Sequence, residues 1–259
     1  MTCCKLLVSV QNESEALEAI AGGADIIDVK DPFAGSLGRP TICKATEVSR
    51  AVGQKVPWTM AIGELANVST QDLIGYTSIL QRSLLELPLE EAHELRTVSP
   101  MAVKIGLAQM KYQNWEERLG ELEALVSRFV LCVPVAYADA KEVLAPDPED
   151  VFAQAARTGN SLVLVDTCRK DFGGLFEIIE ETVIRRWCRC VQAAGMQIAI
   201  AGKLTLADIH RAAELGPDVV AVRSGVCVGG RLGRVSANLV AAAKSLCGNE
   251  RVSIHSSLK

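Results

Sequence analysis

Histidine is scarce in this 259-residue chain: it occurs three times, at positions 93, 210 and 255. Residues so widely separated form no recognisable histidine metal site and no nucleophile–histidine–acid triad. The nine cysteines lack the spacing of a zinc site and the density of a secreted disulfide framework, so we interpret them as reduced thiols. We therefore expect no bound metal.

Long apolar runs and an excess of basic residues are absent as well. The longest apolar stretch, around residues 130–138, is far shorter than the roughly 20 residues of a membrane helix. Residues 1–13 lack the charged start, apolar centre and small-residue cleavage site of a signal peptide. Lysine and arginine number 27 against 31 acidic residues, which offers no basic surface for nucleic acid. We therefore expect a cytoplasmic protein that binds neither a membrane nor nucleic acid.

Strand-like runs alternate with amphipathic helical stretches along the whole chain, a pattern typical of βα units around a parallel sheet. Eight such units in about 250 residues predict an α/β fold, a single (β/α)8 barrel of the TIM type. A doubly wound open sheet is the alternative, but no Gly-x-Gly-x-x-Gly follows the first strand to bind a dinucleotide. The eight predicted strands are 4–10, 25–30, 56–63, 101–108, 129–138, 161–167, 197–202 and 219–225.

The predicted barrel domain spans residues 1–252, and residues 253–259 are expected to form a disordered tail. No linker or low-complexity stretch divides the chain. The segment 69–99 is longer than one barrel helix and predicts two helices. The sequence leaves the oligomeric state open, with a homo-oligomer among the options.

Charged residues end three of the predicted strands. Side chains alternate along a strand, so Asp28 and Lys30 share one face of the second strand. Lys104 holds an equivalent position on the fourth strand, and Asp166 on the sixth, with Lys170 shortly after it. Because the carboxyl ends of parallel strands meet at one rim of a barrel, these five residues are the predicted catalytic site. Ammonium and carboxylate groups in that place indicate amine chemistry on a small substrate.

A lysine attacks a carbonyl only when it is neutral, and at its ordinary pKa of about 10.4 almost none is neutral at pH 7. Burial and neighbouring cations would lower that pKa. The alternative is a structural ion-pair network, with Asp28 pairing Lys30 or Lys104 and Asp166 pairing Lys170. Three lysines against two carboxylates leave one cation over, and phosphate is the natural anion to balance it.

Two glycine-containing loops near the end of the sequence form a predicted phosphate site. Barrels that handle phosphorylated substrates place backbone N–H groups after the seventh and eighth strands. The segment 229–234 extends the second loop and adds guanidinium donors. A small phosphorylated substrate is therefore the expected partner. The predicted phosphate-binding residues are Gly202 and Lys203 in the first loop, and Arg223, Ser224 and Gly225 in the second.

Two residues at the end of the fifth strand are further candidates. Tyr137 and Asp139 fall on one face of that strand, at its carboxyl end. Two interpretations of Tyr137 are equally consistent with the sequence, a proton donor or an ordinary aromatic at the barrel rim. A turn-rich loop at 31–38 is expected to lie over the site, and its glycines fit a moving loop and a static turn equally.

The ordered set of these motifs closely resembles the (5-formylfuran-3-yl)methyl phosphate synthase family, also called 4-(hydroxymethyl)-2-furaldehyde-phosphate synthase. The resemblance covers nearly the whole chain. It departs from the family pattern in the long segment 69–99, at Lys203 and at 231–234. The motifs are GGADIIDVKDP at 22–32, VKIG at 103–106, AYADA at 136–140, VDT at 165–167, KD at 170–171, AG at 201–202 and VR at 222–223.

The resemblance implies a barrel lyase that condenses two molecules of glyceraldehyde 3-phosphate into a phosphorylated furfural, with release of phosphate and water. The product is a precursor of methanofuran or its methylotroph counterpart, and no cofactor is required. Carried over by motif, Lys30 resembles the family's Schiff-base lysine and Lys104 its proton acceptor. Asp28, Asp166 and Lys170 match the remaining charged positions of the family's site.

Two other functions fit the same residues. A class I aldolase acting on another sugar phosphate would share the imine-forming lysine and the phosphate loops. A non-catalytic barrel that binds phosphorylated metabolites would share the loops but have an unreactive Lys30. A furan product formed from glyceraldehyde 3-phosphate alone would separate the synthase from both.

Overall fold

The computed structural model describes residues 4–85, 99–126 and 130–248, and the structural statements below refer to these. Eight parallel strands, hydrogen-bonded in sequence order, close into a barrel, which confirms the predicted fold. The strands are β1 (Lys5–Val10), β2 (Ile26–Val29), β3 (Trp58–Glu64), β4 (Ala102–Gly106), β5 (Leu131–Tyr137), β6 (Leu162–Asp166), β7 (Gln197–Ile200) and β8 (Val219–Val222).

Helices follow the strands and pack on the outside of the barrel. Short 3-10 turns lie at Pro32–Ala34, Leu65–Asn67 and Ser224–Val226, and an antiparallel pair, β9 (Cys227–Val228) and β10 (Arg234–Val235), follows the last turn. The helices are α1 (Glu13–Ala21), α2 (Ile42–Val52), α3 (Thr70–Leu85), α4 (Trp115–Val126), α5 (Pro148–Arg157), α6 (Leu175–Ile178), α7 (Glu181–Ala193), α8 (Leu206–Glu214) and α9 (Ala237–Cys247).

The seventh and eighth predicted strands extended too far at their carboxyl ends, the rim where the site lies. β7 ends at Ile200 and β8 at Val222, because the chain turns into loops that include the 3-10 turn at Ser224–Val226. In segment 69–99 the structure describes one helix, α3. The second helix expected there and the tail at 253–259 lie outside the described residues.

Alternation along the strands sorts the apolar residues into two layers. One set, including Leu7, Ala61 and Val133, fills the barrel interior, and the other packs between the strands and the helices. Helix starts are fixed locally: the Asn12 side chain accepts a hydrogen bond from the Glu15 backbone N–H at 3.0 Å, which caps α1. No helix within the described ranges is long and apolar enough to cross a membrane.

Candidate active site

Asp28 and Lys104 form a buried ion pair at the carboxyl rim of the barrel. Asp28 Oδ2 lies 2.5 Å from Lys104 Nζ, and the Asp28 side chain is fully buried. Thr59 and Ser9, on the neighbouring strands, donate hydroxyl hydrogen bonds to the same carboxylate at 2.8 and 3.0 Å. Burial favours the neutral acid, but the charges of Lys104 and Lys30 and the hydrogen bonds from Lys104 and Thr59 outweigh it. They hold the pKa of Asp28 below its usual value.

A second ion pair joins Asp166, the last residue of β6, to Lys170. Their charged atoms are 2.8 Å apart, and the Ser36 hydroxyl, from the loop after β2, donates to the same carboxylate at 3.2 Å. Lys170 Nζ also donates to the Thr167 carbonyl. Burial again opposes the charge of Asp166, and the cations Lys170 and Lys30 again outweigh it, so the pKa of Asp166 is lowered.

Lys30 lies just beyond β2, and its side chain forms no hydrogen bond or ion pair with any described residue. It is only 8% exposed. Burial, as the largest effect, lowers the pKa of Lys30 to about 7; the charges of Lys104 and Lys170 act in the same direction, and the two carboxylates oppose them. A lowered pKa favours the neutral amine that a nucleophilic lysine requires.

Of the two partners that the sequence allowed for Asp28, the structure pairs it with Lys104. The two carboxylates pair with Lys104 and Lys170, which leaves Lys30 as the cation without a carboxylate partner among the described residues. The predicted catalytic residues are therefore brought together in one place. Sequence reasoning missed the hydroxyl groups of Ser9, Ser36 and Thr59, although Ser9 and Thr59 lie directly opposite Asp28 in the strand register.

A small pocket opens onto these charges. Of the predicted phosphate residues, Gly202, Lys203 and Ser224 line it, and Gly225 does not. A Cβ on Gly225 would lie 2.9 Å from the Leu204 carbonyl oxygen, so this glycine allows close packing of the two loops. The lining residues are Ser9, Lys30, Lys104, Leu164, Asp166, Lys170, Ala201, Gly202, Lys203, Leu204, Ala221, Val222, Arg223, Ser224 and Arg231.

Arg223 requires a correction, because its guanidinium is committed to the protein. It forms a buried ion pair with Glu15 at 2.9 Å and donates further to the carbonyls of Ser9, Arg231 and Gly233. These contacts use all five of its N–H donors, so none is left for a phosphate. No sequence pattern indicated this ion pair, because Glu15 lies 208 positions away and is typical of a residue at a helix start.

Arg231, in the loop 229–234, is the arginine that remains available at the pocket. Its two terminal nitrogens donate to the carbonyls of Pro32 and Gly35, each at 2.7 Å. These bonds tie the loop after β8 to the predicted loop at 31–38. Three of its five N–H donors are not used in these two bonds, and the side chain lines the pocket.

Tyr137 and Asp139 are fully buried, and they are not among the residues that line the pocket. The Tyr137 hydroxyl donates to Glu64 at 2.5 Å. The Asp139 carboxylate accepts the backbone N–H groups of Cys168 and Arg169 at 2.8 and 2.7 Å, which fixes the loop after β6. Glu64 itself was not singled out from the sequence.

Comparison with known proteins is consistent with this arrangement. A family model described as 4-HFC-P synthase matches residues 6–244. The chain belongs to this family. It is 33% identical to the (5-formylfuran-3-yl)methyl phosphate synthase of Methanococcus maripaludis, over 93% of this chain and 98% of that protein. It is 30% identical to the enzyme of the same name from Archaeoglobus fulgidus, over 91% and 96%.

Solved structures similar to this member of the 4-HFC-P synthase family share its fold. Phosphoribosylanthranilate isomerase from Thermotoga maritima has a TM-score of 0.59 at 14% identity and covers 94% of this chain and 98% of its own. The 3-hexulose-6-phosphate synthase from Salmonella typhimurium has a TM-score of 0.58 at 14% identity, with the same coverage. At these identities the likeness establishes the barrel and not the reaction.

Proposed function

We propose that this protein is a (5-formylfuran-3-yl)methyl phosphate synthase that condenses two molecules of glyceraldehyde 3-phosphate, with release of phosphate and water. In this proposal it is a carbon–oxygen lyase that supplies the furan of a methanofuran-type cofactor. Membership of the 4-HFC-P synthase family supports an enzymatic function of this kind. The observation that carries the proposal is Lys30, a buried amine without a carboxylate partner among the described residues, at the rim of the barrel.

The proposed reaction begins with neutral Lys30. Its nitrogen attacks the carbonyl carbon of one triose phosphate, water leaves, and a protonated imine forms. The positive nitrogen acidifies the adjacent C–H bond, so loss of that proton gives an enamine; phosphate leaves in a separate, later elimination, because the electron pair that expels it cannot also form the new C–C bond. The enamine carbon then attacks the aldehyde of the second triose phosphate, and dehydration leads to the aromatic ring.

The two ion pairs supply proton transfer in this proposal. Lys104, 2.5 Å from Asp28, is the proton acceptor. Lys170 and Asp166 form the equivalent pair on the other side of Lys30. Because each pair contains one acid and one base, protons can move between carbon and oxygen without a metal ion.

The charge of the pocket supports a phosphorylated substrate. Lys170, Lys203 and Arg231 line it together with Lys30 and Lys104, whereas Asp166 is the acidic residue among its described lining. A phosphate dianion offsets this excess of positive charge, and Arg231 and Lys203 provide donors at the side of the loops after β7 and β8.

The test is incubation of the protein with glyceraldehyde 3-phosphate alone, followed by mass analysis and near-ultraviolet absorption of the product. We expect a phosphorylated furan aldehyde together with inorganic phosphate. A different condensation product would indicate an aldolase on the same scaffold. Unchanged substrate would contradict the proposal, provided that the circular dichroism spectrum shows a folded barrel.

A further inference from the structure

A β-bulge at the end of β3 turns the Glu64 side chain toward the mouth of the barrel. Ala61 pairs with Lys104 across β3 and β4, but Glu64 pairs with Gly106, so β3 holds one extra residue between these pairs. This bulge includes Gly63, whose φ of +102° is in the range that favours glycine. A bulge reverses the alternation of side chains beyond it, so Glu64 faces the interior side, where simple alternation would place it outside.

The absence of a side chain at Gly106 leaves space for the Glu64 carboxyl group. A Cβ at Gly106 would lie 2.0 Å from Glu64 Oε2 and 2.4 Å from the Tyr137 hydroxyl, so the carboxyl group occupies the space left by the missing side chain. Oε1 accepts the Tyr137 hydroxyl hydrogen at 2.5 Å, and Oε2 accepts the Ala108 backbone N–H at 3.1 Å. One donor on each oxygen fixes the group in position and leaves it able to carry a proton.

The Glu64 carboxyl group lies on the same rim as the reactive lysines, and across the barrel from the loops after β7 and β8. Gly106 follows Lys104 by two residues on β4. It therefore lies about 7 Å nearer the rim than Lys104. Tyr137 pairs with Asp166 in the register of β5 and β6. In a closed barrel of eight sequential strands, β3 and β4 are opposite β7 and β8. Glu64 is partly exposed as a residue at this rim.

We propose that Glu64 is the acid that serves the second substrate molecule. The inference rests on the proposed function, in which an enamine on Lys30 attacks an aldehyde. As the enamine electron pair forms the new C–C bond, the carbonyl π pair moves to the aldehyde oxygen, which takes the proton from the Glu64 carboxyl group. The products of the step are a hydroxyl group, a protonated imine on Lys30 and the Glu64 carboxylate, so the charges balance.

The surroundings of Glu64 favour its protonated form. Burial raises the pKa of Glu64, and the negative charges of Asp166 on β6 and Asp139 after β5 raise it further. The hydrogen bonds from Tyr137 and from the Ala108 N–H act in the opposite direction without cancelling the rise. A carboxylic acid that keeps its proton closer to neutral pH is the form that a proton donor requires.

The experiment compares Glu64→Gln with the parent protein, using borohydride trapping during turnover of glyceraldehyde 3-phosphate. The amide keeps the size of the side chain but cannot donate an acidic proton. We expect imine formation at Lys30 to proceed at the parental rate, while furan production falls by roughly 10²–10⁴, the loss typical of a general acid. The trapped adduct should carry a single triose unit and accumulate, because the step that is slowed follows imine formation.

Two further variants separate proton donation from structural support. Tyr137→Phe removes the hydroxyl donor but keeps the acid, so we expect a loss of less than about tenfold, far below that of a general acid. Glu64→Asp should recover part of the activity lost in Glu64→Gln. In the parent, turnover should fall as pH rises through the Glu64 pKa, and Glu64→Gln should lose this fall.

Three results would overturn the role of Glu64. They are furan production by Glu64→Gln within about threefold of the parent, a parallel loss of trapping and turnover, and equal losses in Glu64→Gln and Tyr137→Phe. Failure of the proposed function would look different, because the parent protein itself would then give no trapped adduct and no furan.

Discussion

Asp28 and Lys30 are two residues apart on the chain, but the Asp28 carboxylate pairs with Lys104 on β4 rather than with Lys30. Asp166 likewise pairs with Lys170. Each carboxylate thus has one lysine as its ion-pair partner, and Lys30 is left buried among two cations and their partners. This division of charge separates the roles that we assign: Lys30 is the nucleophile, and its neighbours hold and move protons.

The first prediction concerns the pH dependence of imine formation. Because the pKa of Lys30 is lowered to about 7, the rate of borohydride trapping should rise with pH, reach half of its maximum near pH 7 and then level off. Initial trapping rates across the neutral range, with mass analysis of the Lys30 peptide, measure this directly. A half-maximal point near the ordinary lysine pKa of about 10.4 would contradict the assigned environment.

The second prediction is that Lys30→Met gives an inactive but more stable protein. The folded pKa of Lys30 lies below its unfolded value, so folding requires burial of the charge or release of its proton at pH 7 and below. Removal of the amine should raise the free energy of unfolding by on the order of 2–4 kcal/mol.

The parental free energy of unfolding should itself increase with pH between about 7 and the ordinary lysine pKa, because the unfolded chain binds more protons there. Lys30→Met should lose that part of the pH dependence. Urea unfolding of both proteins at several pH values provides the measurement, and a destabilised Lys30→Met at pH 7 would contradict the account.

The third prediction separates two roles of Lys104. If it moves protons, Lys104→Gln should still permit trapping at Lys30, while turnover falls by roughly 10²–10⁴. If it mainly repels the Lys30 proton, loss of its charge should raise the pKa of Lys30 and shift the trapping profile to higher pH. Trapping rates from pH 6 to about 10 on both proteins distinguish the cases, and unchanged turnover would remove Lys104 from the mechanism.

The fourth prediction contrasts two arginines that are eight residues apart. Glu15→Gln leaves the Arg223 guanidinium buried without its carboxylate, and loss of one partner of a buried ion pair costs about 3–5 kcal/mol of stability. Arg231→Gln removes a pocket cation, so KM for glyceraldehyde 3-phosphate should rise while the free energy of unfolding changes by less than about 1 kcal/mol. A raised KM in Glu15→Gln together with an unchanged KM in Arg231→Gln would show that Arg223, rather than Arg231, binds substrate.

The barrel and its charged rim could be predicted because both follow from local rules. Alternation along β2, β4 and β6 puts Asp28, Lys104 and Asp166 on the interior face, and parallel strands bring those ends together. The Asp166–Lys170 pair was among the sequence interpretations, but the partner of Asp28 could not be predicted, since it depends on which neighbouring strand places an ammonium nearest to that carboxylate.

Two errors have clear physical causes. The predicted phosphate role of Arg223 was wrong for its side chain because the partner, Glu15, is brought near only by barrel closure. Glu64 was missed because the bulge at Gly63 reverses the alternation that sequence reasoning depends on. A positive-φ glycine before a polar residue at a strand end is the signal that would have drawn attention to it.

The most direct measurement of the central claim is peptide mapping after borohydride is added during turnover of glyceraldehyde 3-phosphate. The account predicts a stable adduct on the peptide that contains Lys30, and no adduct in Lys30→Met. An adduct found only on the peptides of Lys104 or Lys170 would contradict it.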